Sequence, residues 1–326
     1  MVILNKKFMQ NIFSIKNTGN YKVLNIIGIK IKIPCRKKIL RDELNNCTNA
    51  LKQENKNCTE RLINVIKNET KVAIMVANVH QKLFLKYDAI NLNRDLVIIA
   101  TGPSLKYYTA IDNAVHVGVN RAVQAKNVHL DYLFLLDYKA IKSYINDIKG
   151  YHCTKFCGWH SNPDFVVYDE KKNESCHIPK SIVKELDANV FYVNTFDSHI
   201  CDDISSSPLI DYGSTTFPAL HFSIYTCPKR IFLVGCDCTF QGYWDGKEQL
   251  IKYKGLMDKT IDGYKKVKNF VRDNYSDIEI ISVNPVGLKG LYKDVYTKEY
   301  LDNNPEIKNE LGDNVELLED LLKGEK

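Results

Sequence analysis

The sequence predicts an α/β protein: a Rossmann-like, mostly parallel sheet with helices on both faces, preceded by a long N-terminal helix. Two patterns lead there. From Asp95 onward, seven short apolar runs each end in small or polar residues: DLVIIATG (95–102), HVGVN (116–120), YLFLLD (132–137), KFCGW (155–159), VFYVN (190–194), RIFLVGCD (230–237) and IEIISVNP (278–285). Continuous apolar runs mark strands buried on both sides, and helical spacing at 215–226 and 256–275 supplies crossovers between parallel strands. Before Asp95 the period changes to seven, which is a helical seam. A chain of 326 residues, 44% of them hydrophobic, has enough apolar material for a full domain core.

In chain order, residues 1–39 form a basic N-terminal segment. Within it, YKVLNIIGIKIKI (21–33) alternates apolar and basic residues around a glycine, as a short hairpin or an amphipathic strand with Lys30 and Lys32 on one face, ended by Pro34. Residues 40–92 follow as the long helix. One row of its seam runs Leu44, Leu51, Cys58, Val65, Val72 and Val79; the other runs Thr48, Asn55, Leu62, Glu69, Val76 and Leu83. Thr48, Asn55 and Glu69 weaken the first half, although a buried Asn can set register. The seam over 40–86 serves either self-association of the chain or packing on its own domain through 62–83. Residues 93–299 make the α/β domain that holds the seven apolar runs, and 300–326 a charged helical tail.

Charge separates the two parts. Residues 1–90 carry 17 Lys and Arg against 6 Asp and Glu, and the rest 28 against 33. The first 41 residues hold ten basic side chains and no acidic one, which suits an anionic membrane surface or a plain solvated extension. The acidic remainder argues against nucleic acid. Ten cysteines occur without a CxxC pair; Cys153 and Cys157 with His152 and His160 come nearest to a metal set, but lack its tight spacing, so no metal site is expected. No secretory signal and no run of about 20 apolar residues is expected, which predicts a cytoplasmic protein, or one peripheral at the inner face of the cytoplasmic membrane.

Ligands of such sheets bind where strands end. The first strand ends at Thr101-Gly102-Pro103-Ser104: Gly102 admits a ligand close to the backbone, Pro103 fits a first helical turn and Ser104 can cap it, leaving amides for a phosphate. Other strands end at Asn120, Asp137 and Asp237, each of which also fits an ordinary turn or cap. Gly213-Ser214-Thr215 opens a second Gly- and hydroxyl-rich helix start. His221, one turn into that helix, reads as a packed core residue.

In order and spacing, the GPSL turn (102–105), Asn120, YGSTTFPALHFSIYTCPKRIFLVGCDCT (212–239) and ISVNP (281–285) resemble the bacterial CMP-sialic-acid-dependent sialyltransferases that cap lipooligosaccharides. They are similar as well to a wider superfamily with motility-associated flagellin glycosyltransferases and archaeal 6-hydroxymethylpterin pyrophosphokinases. The resemblance covers about 95–290. It implies that Gly102 to Leu105 hold the donor phosphate and ribose, Asn120 and Asp137 flank the nucleotide, and Gly213, Ser214 and Thr215 meet the nucleotide and the sugar's acid group. Asp237 then lies at the donor site, Tyr243 supports the departing phosphate, and tyrosines stand in for a metal.

Two positions depart from that pattern. Thr101 stands where the family has an Asn two residues before its Pro. KYKGLMDKTIDGY (252–264) lacks the family's general-base His, which leaves Asp237, Tyr253 and His160 as candidates. The N-terminal FSIKNTGNYKVLNIIGIKIKI resembles leader segments of surface-polysaccharide transferases. The expected function is therefore a glycosyltransferase of capsule or lipooligosaccharide synthesis. It would move a sialic-acid-like sugar from a CMP-linked nucleotide-sugar donor to a glycan acceptor, without further cofactor, as a homo-oligomer. The alternatives are a phospho- or pyrophosphotransferase of the pterin-kinase type with Asp137 and Asp237 on magnesium, and a non-catalytic nucleotide-binding scaffold.

Overall fold

A computed structural model describes residues 13–18, 21–26, 29–34, 36–136, 138–161, 168–169, 174–175, 178–194, 199–248 and 255–323. It divides into two units, residues 1–70 and 71–326.

In the first unit, β1 (Phe13–Thr18), β2 (Tyr21–Ile26) and β3 (Ile29–Pro34) form an antiparallel sheet in sequence order. The hairpin read around Gly28 is β2–β3, with Ile26 opposite Ile29 and Lys32 opposite Val23. β1 was not foreseen, because Asn17 and Thr18 interrupt its apolar run with turn-forming residues. Helix α1 (Arg36–Phe84) then runs for 49 residues. Residues 41–71 are exposed all round, including Leu44, Leu51, Leu62 and Val65 of the heptad rows.

The second unit takes up the last turns of α1. Here the heptad rows become a packing stripe: Val76 and Leu83 are buried, as are His80 between them and Phe84 beside them. Phe84 stacks on Phe156 with ring centroids 5.8 Å apart. Within this unit the packed stretch of the helix is 76–84, the C-terminal end of the 62–83 expected.

Eight parallel strands make the sheet: β4 (Asp95–Ile99), β5 (Val115–Val119), β6 (Tyr132–Leu135), β7 (Thr154–His160), β8 (Asn189–Val193), β9 (Arg230–Val234), β10 (Glu279–Val283) and β11 (Lys293–Val295). Their spatial order is β8-β7-β6-β5-β4-β9-β10-β11, and every pairing is parallel. All seven apolar runs are strands, as read. β11 escaped notice because KDV is neither long nor apolar; it is an edge strand.

Side-chain alternation along β4 sorts the core into two layers. Leu96 and Ile98 face one layer, with Phe84, α4 (Thr216–Tyr225) and α5 (Leu256–Asn274); Val97 and Ile99 face the other, with Leu105, Tyr108, Ile148 in α2 (Ile145–Gly150) and Val183 in α3 (Lys180–Glu185). α4 is buried along its whole length, in keeping with the run FPALHFSIY. The C-terminal tail is three short helices rather than one: α6 (Lys298–Asn303), α7 (Pro305–Leu311) and α8 (Leu318–Lys323). Pro305 opens the second and Gly312, at φ +60, ends it. Tyr300, Leu301 and Leu318 of this tail are buried.

Among the described residues no helix is long and apolar enough to cross a membrane.

Candidate nucleotide site

The strand order reverses at β4, whose neighbours are β5 on one side and β9 on the other. That reversal is the switch point at which open α/β sheets bind ligands beyond the carboxyl ends of their strands. Thr101-Gly102 follow β4, Asn120 follows β5, and Asp237 follows β9.

The turn after β4 is closed by Asp237. Pro103–Tyr107 is a short 3₁₀ helix with Pro103 at its start, as expected. Ser104 does not cap it with its own side chain. Its amide donates to Asp237 Oδ2 at 2.8 Å, and its hydroxyl donates to Asp237 Oδ1. The Ser104 amide is thus engaged by a buried carboxylate from the loop after β9. Gly102 is required by this closeness, since an added Cβ would lie 2.6 Å from Asp237 Cγ and 2.7 Å from the Gly235 carbonyl oxygen. Gly102 also donates its amide to that carbonyl at 2.8 Å, tying the ends of β4 and β9 together. Burial raises the Asp237 carboxyl above the usual range, against the hydrogen bonds from Ser104 that favour its charged form.

Across β5, Asn120 has left-handed backbone at φ +48, a conformation Asn tolerates better than most residues. Its Nδ2 donates to Thr215 Oγ1 at 2.9 Å, joining the end of β5 to the start of α4. Its Oδ1 is buried with no hydrogen-bond partner among the described residues. Such an acceptor is costly to leave unmet inside a protein.

The loop into α4 turns at Gly213, φ +86. Its amide donates at 2.9 Å to Asp211 Oδ1, and the Ser214 amide bonds the same carboxylate. Ser214 Oγ is bonded to Thr216 Oγ1. Asp211 is buried, and desolvation pushes its pKa up to about 6 in spite of those two amides. Sequence reading missed Asp211 because an Asp before a Gly looks like ordinary turn chemistry; its position directly after the apolar pair Leu209-Ile210 was the available sign of burial.

The remaining candidates separate. His160 ends β7, three strands from β4 or about 14 Å along the rim. Tyr243 lies on the loop after β9, its ring 4.5 Å from the Arg121 guanidinium. Asp137 and Tyr253 fall outside the described residues. His221 is a core residue, as read: Nε2 donates to the Cys201 carbonyl at 2.6 Å, Nδ1 accepts from the Ile210 amide at 3.2 Å, and burial lowers its pKa to about 4. His80 is held likewise, donating from Nδ1 to the Ile204 and Ser207 carbonyls and accepting the Tyr192 amide at 2.7 Å. Among the described residues no three His, Cys, Asp or Glu side chains gather to hold a metal ion.

No family model matches the chain, and no curated protein does. Solved structures similar to it include the sialyltransferase CstII from Campylobacter jejuni with the substrate analogue CMP-3FNeuAc, at 13% identity and a TM-score of 0.32 over 69% of this chain and 86% of that one. The same enzyme with cytidine-5'-monophosphate matches at 15% identity and a TM-score of 0.32, over 58% of this chain and 79% of that one. A point mutant of CstII, described as an α-2,3/8-sialyltransferase, matches at 16% identity and a TM-score of 0.31, over 58% and 81%.

Proposed function

We propose that the chain is a glycosyltransferase that binds a nucleotide-activated sugar at the β5–β4–β9 rim and passes the sugar to a glycan acceptor. The observation that carries this reading is Asn120. Its backbone is in the left-handed region, its amide nitrogen is held by Thr215, and its buried oxygen has no partner among the described residues, at the switch point of the sheet. A carbonyl oxygen so placed suits a base-edge N–H, and the exocyclic amine of cytosine is such a donor. Together with the sequence resemblance, this favours a CMP-linked, sialic-acid-like sugar.

In this reading Thr101 and Gly102 face the phosphate and ribose, with Pro103 and Ser104 shaping the turn behind them. Asn120 and Asp137 take the nucleoside, and Gly213, Ser214 and Thr215 the sugar's acid group. The acceptor hydroxyl attacks the anomeric carbon, the bond from that carbon to the phosphate oxygen breaks, and CMP leaves. Tyr243 donates toward the leaving phosphate. Asp237, with both oxygens engaged by Ser104, braces the site instead of accepting the acceptor's proton, which leaves Tyr253 and His160 as bases. Thermal unfolding with CMP, UDP, GDP and ADP conjugates tests the donor class. Saturation at 100-fold over Kd contributes about 2.7 kcal/mol, so the CMP series alone should raise Tm by about 5 °C or more. Equal shifts with all four, or none, overturn the assignment. Magnesium-dependent stabilisation by ADP instead favours phosphoryl transfer.

The exposed heptad rows of α1 are, in the same proposal, covered by further copies of the chain, and the basic segment ahead of them contacts anionic lipid. Replacing both Leu62 and Val65 by Glu should lower the mass in sedimentation equilibrium to one chain per particle. An unchanged mass rejects self-association through this helix.

A further inference from the structure

The residue after Asn120 is an arginine, and it is buried. Arg121 projects from the short 3₁₀ segment Asn120–Gln124, where its Nε donates to Gln124 Oε1 at 3.2 Å. Its far end donates to Asp245 Oδ2 at 2.6 Å. The guanidinium also lies against two aromatic rings, 4.5 Å from the Tyr243 centroid and 5.4 Å from that of Trp244. A buried cation needs such partners, and a planar guanidinium can satisfy a carboxylate at its edge while stacking on rings with its face.

Three of these four partners, Tyr243, Trp244 and Asp245, sit on one small turn. Residues 242–247 close on themselves, with the Tyr243 amide donating to the Lys247 carbonyl at 2.8 Å and the Gly246 amide to the Tyr243 carbonyl at 3.0 Å. Gly242 at φ +97 and Gly246 at φ +77 make that path accessible, and at Gly242 an added Cβ would meet the Lys247 carbonyl oxygen at 2.6 Å. Away from itself, the turn is anchored by the Trp244 amide, which donates to the Thr101 carbonyl at 3.3 Å, and by Arg121. One anchor is thus a site residue and the other adjoins Asn120.

We propose that Arg121 is a positioning residue: it holds the Tyr243–Trp244–Asp245 turn across the rim between Thr101 and Asn120, so that the turn and the bound donor fix each other. This rests on the donor reading above. The ion pair sets the height of the turn and the two rings set its rotation, a pairing a lysine could not reproduce. A nucleotide that engages Asn120 shifts the base of Arg121, and the shift reaches Tyr243 through one side chain.

The chain has two tryptophans, so Trp159→Phe leaves Trp244 as the sole reporter. In that background CMP should change Trp244 emission with the same half-saturation that calorimetry gives for CMP binding. Arg121→Met should move ligand-free Trp244 emission to the red, increase its quenching by iodide, and weaken CMP binding about tenfold. Arg121→Lys keeps the charge but not the planar fork, and should fall between the two on both readouts, which serves if the methionine variant does not fold. Two results overturn the inference alone: wild-type emission and quenching in both variants, or released emission with unchanged CMP affinity. If the parent protein shows neither a heat nor a Trp244 response with CMP, the donor reading fails and this inference with it.

Discussion

The turn after β4 and the turn before α4 meet the same rim, and each is tied down by a buried aspartate that accepts backbone amides. Asp237 reaches its turn from another strand, taking the Ser104 amide and hydroxyl 133 positions away, whereas Asp211 takes the Gly213 amide two positions along its own loop. The first brace is a tertiary contact that exists only when β4 and β9 lie side by side; the second is a local turn made rigid by burial. Both carboxyls are pushed upward by desolvation, so both hold their turns at an electrostatic cost. Both braces are thereby linked to protonation, and the long-range one also couples site geometry to folding of the sheet.

The difference decides what a perturbation does. At Gly102 a single methyl would meet Asp237 and the Gly235 carbonyl, and the carbonyl belongs to a backbone held by the sheet. Gly102→Ala should cost about 3 kcal/mol in urea unfolding, the upper end for overpacking, and should weaken nucleotide binding through the displaced turn. A variant as stable as wild type would mean the two strand ends can part, and would break the long-range half of the comparison.

The local brace is read by pH. A carboxyl raised to about 6 in the folded state, from 3.8, contributes stability that is complete below about pH 4 and is lost as pH rises through 6. Roughly two pKa units amount to about 3 kcal/mol. His80 and His221 have the opposite sign: their folded pKa values are depressed, so their contribution is present above about 6.5 and is lost as pH falls, for His221 through about 4. The raw stability profile mixes these slopes. Asp211→Asn keeps an acceptor for Gly213 and removes only the carboxyl, so the difference between wild-type and variant profiles isolates it. Wild type should lose up to about 3 kcal/mol relative to the variant between pH 4 and pH 7. Parallel profiles would show that Asp211 does not titrate in that window.

Legibility in the sequence followed the same division. The seven apolar runs were readable as strands because a parallel sheet buries both faces of each, and the strand ends Thr101, Gly102, Asn120 and Asp237 followed from topology. What Asp237 does there was not readable, since its partner Ser104 lies 133 positions distant and nothing near either residue signals the contact. Arg121 was hidden for the same reason: a lone arginine after a strand looks solvated until Asp245 and the rings of Tyr243 and Trp244 close over it. The heptad rows were legible as a stripe, but one stripe serves two surroundings. It is buried at Val76 and Leu83 and exposed at Leu44 and Leu62, and periodicity carries no mark of where the change falls.

The smallest effect tests whether the local turn serves folding alone. Ser214 Oγ is bonded to Thr216 Oγ1 and accepts the Thr216 amide at 3.4 Å, while Thr216 also hydrogen-bonds the Tyr264 phenol. Removing the Ser214 hydroxyl leaves Thr216 with a partner, so Ser214→Ala should cost only about 0.5–1.5 kcal/mol of stability. Asp211 still holds the Gly213 amide, so the loop keeps its path. If the hydroxyl also meets the donor sugar's acid group, affinity for a CMP-sugar should fall by up to about tenfold while affinity for CMP itself stays the same. Equal losses for both ligands would place Ser214 at the nucleotide instead. No loss for either would make the hydroxyl part of the turn alone, leaving recognition at this side of the rim to Asn120 and Thr215.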